Sequence, residues 1–138
     1  MTNDASPRVR QAPLPSDAVL VVRGDILEDE LLRVDAARFT RRYPDWGRSG
    51  VSGYYARDED EDEVAALCQS KLANFATVVV FTRADLEAGG IDVLGTFRTP
   101  HVTLAATDIE ALVKALVRCP RQVRENPYHG NTTTEEVR

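Results

Sequence analysis

The chain has 138 residues, enough for one domain with a buried core, and its 43% apolar content is that of a folded globular protein. No apolar run approaches the roughly 20 residues of a helical membrane span, so none is expected. The formal net charge of −5 is local in origin: Asp58 to Glu63 supplies six of the 22 acidic residues, and the remaining 16 nearly balance 17 basic ones.

Residues 1–14 carry prolines and no periodicity, and read as a disordered arm. They also lack the apolar core of a signal peptide, so a cytoplasmic setting is expected. A single domain is expected over 15–128, followed by a flexible tail at 129–138. Ala18 to Val22 is a short, fully apolar strand that ends at Arg23-Gly24. Glu28 to Phe39 reads as a helix with an imperfect stripe of Leu27, Leu31, Leu32, Val34 and Phe39. Gly50 to Ala56 alternates as a strand, with Gly53 marking a bulge or a close backbone approach.

The acidic block leads into a helix on which Val64, Leu67, Cys68, Leu72 and Phe75 recur at helical spacing. Its acids suit the positive end of the helix dipole. Six carboxylates in a row do not converge as metal ligands must, and no metal site is expected. Thr77 to Thr82 is a β-branched strand. Thr82 caps a short helix at 83–88 that stops at Gly89-Gly90. Ile91 to Leu94 is a short apolar run, and His101 to Ala105 a half-buried strand. Thr107 and Glu110 form a capping box, and Leu112, Val113, Leu116 and Val117 mark one face of the last helix. Gln122 to Tyr128 is irregular. Cys68 and Cys119 form no CxxC pair and read as buried thiols. The order of elements predicts one α+β domain, with a mixed central sheet of about five strands and three to four helices.

Three constellations bear on chemistry. On a strand, His101 and Thr103 share a face, and an imidazole beside a hydroxyl can hold a phosphate and move a proton. Pro100 to Ala105, PHVTLA, resembles one half of the motif of the 2H phosphoesterases. That family sets two His-x-Ser/Thr motifs face to face on cyclic phosphates. The resemblance implies a catalytic His101 and Thr103. His129, the other histidine, is followed two places on by Asn131, so the second half is missing.

The second constellation is Arg23-Gly24 at the end of the first strand, Ser52 in the next with Tyr54 and Tyr55 beyond it, and Asp92 in IDVLGTFRT. This layout resembles small ADP-ribosyltransferases, including toxin-type members of bacterial origin. The resemblance implies NAD as cofactor, bound by Arg23, Ser52, Tyr54 and Tyr55. Asp92 would be the carboxylate that polarises the ribose, although that family has glutamate there. The same fold without chemistry would be an interaction module, such as a toxin–antitoxin partner, an immunity protein or a phage accessory protein.

The third is Arg38, Arg41, Arg42 and Arg48 with Tyr43 and Trp46. Basic residues interleaved with aromatics suit single-stranded nucleic acid, although no nucleic-acid-binding motif accompanies them.

Overall fold

The computed structural model describes residues 8–57 and 61–130. The elements are β1 (Ala18–Gly24), α1 (Asp29–Arg42), β2 (Ser49–Arg57), α2 (Glu61–Ser70), β3 (Thr77–Thr82), α3 (Arg83–Ala88), β4 (Asp92–Gly95), β5 (His101–Ala106), α4 (Ile109–Arg118) and β6 (Gln122–Glu125). They build one six-stranded sheet in the order β4-β5-β2-β1-β3-β6. The expected α+β domain is what forms, with one correction. Every strand pair is antiparallel, so the six-stranded sheet is not mixed.

The sixth strand is β6, which pairs with β3 from Gln122↔Val80 to Glu125↔Thr77. Apolar periodicity could not announce it, because Val123 is 60% exposed. Backbone pairing and ion pairs such as Arg124–Glu61 hold it instead.

Alternation along β1 and β3 sends side chains into two cores. Val21, Val79 and Phe81 join Val51, Val102 and Leu104 under Leu32, Leu86, Leu112 and Leu116 of α1, α3 and α4. Leu20, Val22, Val78 and Val80 point the other way, with Ala56, onto Val64, Leu67 and Cys68 of α2. This second core draws on β1, β2 and β3 alone, so α2 does not cover the β5–β4 end of that face.

The helices depart from expectation in detail. In α1 the buried residues are Leu32, Ala36 and Phe39, at helical spacing, while Leu31 (46%) and Val34 (51%) face outward. One helix has one buried stripe, and Ala36 lies on it where Val34 was expected. The cap of α4 is Asp108, whose carboxylate accepts from Ala111 N, rather than Thr107. The cap of α3 is Thr82, as the sequence suggests. Both cysteines are buried free thiols.

Residues 8–14 do not form a free arm. Phe97 N donates to Arg10 O at 2.7 Å and Ala12 N to Gly95 O at 2.8 Å, beside the edge of β4. Gly95 permits this approach, since a Cβ there would lie 2.6 Å from Ala12 O. Leu14 then packs on the larger core. Residues 1–7 and 131–138, the rest of the expected arm and tail, lie outside the described residues, while His129 and Gly130 bond Ala73 O.

Leu116 is fully buried on α4. Leu116→Ala is expected to cost about 2–5 kcal/mol in a urea melt, and Leu31→Ala on α1 less than about 0.5 kcal/mol. Equal effects would show that the buried stripes are assigned wrongly.

Candidate functional site

The register of β2 against β5 pairs Ser52 with Thr103 and Tyr54 with His101. All four therefore share one face, the one that α2 leaves partly open. Thr96, just past β4, joins them there by donating its N–H to His101 O at 3.2 Å. A chain of side-chain hydrogen bonds results. Ser52 Oγ lies 3.0 Å from His101 Nε2, His101 Nδ1 lies 2.8 Å from Thr96 Oγ1, and Thr96 Oγ1 lies 2.8 Å from Thr103 Oγ1. The inner end is closed to water, with Thr103 at 0% and Thr96 at 1% exposure. The outer end, Ser52, is exposed and His101 is half-buried.

Local sequence shapes this site. A Cβ at Gly50 would lie 2.6 Å from Thr103 Cγ2, so glycine there lets Thr103 sit against β2. Phe97 at φ 60° turns the chain between Thr96 and His101. Its ring meets His101 at 5.3 Å between centroids and 61°, and Tyr54 meets the other side at 5.6 Å and 88°. The imidazole is thus held by two rings and two hydroxyls.

Burial lowers the His101 pKa, a hydrogen bond with the Thr96 backbone opposes that, and Lys71 lowers it further. The ring is neutral at pH 7, with one donor and one acceptor nitrogen. Both ring bonds are to hydroxyls, and the proton is assigned to Nδ1, the tautomer that leaves Nε2 as the acceptor. Nε2 then accepts from the Ser52 hydroxyl, and Thr96 Oγ1 accepts from Nδ1 and donates to Thr103 Oγ1. The result is an exposed serine, an adjacent base and a third group that orients the base, the arrangement of an activated nucleophile.

The remaining expected site residues lie elsewhere. Arg23 alternates with Val21, so its side chain leaves the sheet on the face opposite to the Ser52 side chain. It is 4% exposed and bonds Asp35 Oδ2 and Ser52 O, each at 3.0 Å. Its Nε has no partner among the described residues. Asp92 pairs with Arg48 on the surface and sits opposite Ala105, towards the far end of β5 from His101. Tyr55 faces the larger core. Arg23 and Ser52, expected to bind NAD together, therefore face opposite sides of the sheet. Thr103 is likewise too buried to touch a ligand, and Ser52 is the hydroxyl that His101 presents outward.

Thr96 and Phe97 are the residues that sequence reasoning missed. GTFRTP reads as a turn, and only the β4–β5 register brings Thr96 beside His101. Among the described residues no three His, Cys, Asp or Glu side chains converge to hold a metal. The fold and site define a single-domain α+β protein with a serine–histidine–threonine chain across two central strands. No family model, curated protein or solved structure matches it.

Asp35→Ala is expected to destabilise the fold by about 1–3 kcal/mol, because it strips a partner from the buried Arg23 guanidinium. Arg33→Ala, in a solvent-exposed pair with Glu110, should lower the melting temperature clearly less. Thermal melts of the two variants compare them directly.

His101 should titrate below 6.5 in an NMR pH series. Its folded pKa is depressed, so the unfolded chain binds the proton more readily. The stability it contributes is present above about pH 6.5 and is lost as pH falls through the lower folded value. Denaturant midpoints at pH 7.5 and pH 5 should differ less in His101→Gln than in the parent.

Proposed function

We propose that the chain is an enzyme of the hydrolase or group-transfer class, with Ser52 as nucleophile and His101 as its general base. The observation that carries this reading is the 3.0 Å bond between an exposed Ser52 Oγ and a neutral, oriented His101 Nε2. Ser52 Oγ attacks a carbonyl or phosphoryl centre, and its proton passes to Nε2. The imidazolium returns that proton to the leaving group. Water then attacks the ester on Ser52, giving its proton to Nε2, and the seryl oxygen leaves with it. A covalent route of this kind needs one histidine, which serves as base and then as acid. Single-step cleavage between two facing His-x-Thr motifs needs two.

Thr96 acts as a positioning residue. It accepts from Nδ1, keeps the lone pair of Nε2 on Ser52, and steadies the imidazolium. A phosphoesterase working through His101 falls within this reading, with Ser52 in place of Thr103. An NAD-dependent reading draws no support from Arg23 and Asp92, whose charges are engaged by Asp35 and Arg48.

A fluorophosphonate probe tests the nucleophile directly. It should label Ser52 in the folded protein, as read by peptide mass, and labelling should fall about 10²–10⁴-fold in His101→Ala. Thr96→Val should slow labelling and shift the acid limb of its pH profile. A folded parent that does not label, or a Ser52→Ala variant that labels equally, removes the reading.

A further inference from the structure

Outside the hydroxyl chain, the same face carries a row of rings. Tyr43 stacks on Phe97 at 5.5 Å and 29°, Phe97 meets His101 at 5.3 Å, and His101 meets Tyr54 at 5.6 Å. All four are half-buried, so each keeps part of its ring open to solvent. Single aromatic residues on a surface need no explanation, but a continuous row of them does.

Cations flank the row along its length. Arg42 lies over Tyr43, with its guanidinium carbon 6.0 Å from the ring centroid. Arg98 follows Phe97 in the chain and is exposed. Lys71 is close enough to His101 to disfavour its protonated form. None of the three forms an ion pair among the described residues. Other described arginines are engaged by acids, among them Arg33 by Glu110, Arg57 by Glu63, Arg83 by Glu87 and Arg124 by Glu61. What sets Arg42, Arg98 and Lys71 apart is their place beside the rings, in a chain of net charge −5.

We propose that this face binds single-stranded nucleic acid, with bases stacked on the rings from Tyr43 to Tyr54 and phosphates drawn to Arg42, Arg98 and Lys71. Every base has a flat face to stack, so recognition tolerates sequence, whereas a duplex hides those faces. The cations supply the salt-dependent part of the affinity. Acidic peptides would use the charges and leave the rings idle. The surface stands on the rings and cations alone and does not depend on chemistry at Ser52.

The test is fluorescence anisotropy with labelled single-stranded dT and rU 12-mers and a matched duplex, at 50 and 200 mM salt. The expected result is a dissociation constant between about 1 and 100 μM for one or both single strands, weaker at the higher salt. The duplex should bind less well, and preference between dT and rU reports which strand is taken. The charge reversals Arg42→Glu, Arg98→Glu and Lys71→Glu together, all at exposed side chains, should weaken binding at least tenfold. Tyr43→Leu should weaken the single strands about tenfold and leave duplex binding unchanged. Ser52→Ala should bind like the parent, which separates this proposal from the catalytic one. No binding at 50 mM salt, equal affinity for single strand and duplex, or full affinity in the charge-reversed variant would overturn the proposal.

Discussion

The register between β2 and β5 is the constraint on which the candidate site depends. Ser52 opposite Thr103 and Tyr54 opposite His101 place four polar or aromatic side chains on one face of two neighbouring strands. Side chains alternate with a period of two, so a slip of one residue would send His101 into the larger core and Val102 outward. That core opposes such a slip, because Val102 and Leu104 are fully buried in it. The apolar half of β5 thereby sets the position of the polar half, and packing energy on one side of the sheet specifies chemistry on the other.

Unequal coverage of the two faces decides what that chemistry can reach. Three helices close one face. On the other, α2 packs over β1, β2 and β3 and leaves the β5 side to Phe97, Tyr54 and the hydroxyl chain. The burial gradient along that chain, from Thr103 inside to Ser52 outside, has two consequences. Buried hydroxyls must be paired, so Thr96 and Thr103 hold each other and the imidazole in one geometry. The same dry surroundings keep His101 neutral, which leaves Nε2 free to accept a proton.

Arg23 shows the opposite use of a polar group. Its guanidinium is buried on the helical face, bonded to Asp35 and to a carbonyl of β2. It ties α1 to the sheet directly behind Ser52. A charge so enclosed steadies the frame of the site without meeting a ligand.

The sequence by itself determined the class of fold and most of its elements. Thr77–Thr82 and His101–Ala105 carry the β-branched and alternating patterns that only strands satisfy. Leu112, Val113 and Leu116 mark a helix face because burial on a helix repeats at its own period. The sequence also singled out Ser52, Tyr54, His101 and Thr103, but assigned them to two unrelated sites, since each pattern is local and pairing between strands is not. Tertiary structure alone decided that residues 49 positions apart share a hydrogen bond. It also put Arg23 behind the sheet, brought Thr96 out of an unremarkable turn to the imidazole, and added β6. Those outcomes rest on strand register, on which face each helix covers, and on backbone bonds to the sheet edges. None of these leaves a periodic trace in the chain, because each depends on what a residue meets across space and not on its neighbours in sequence.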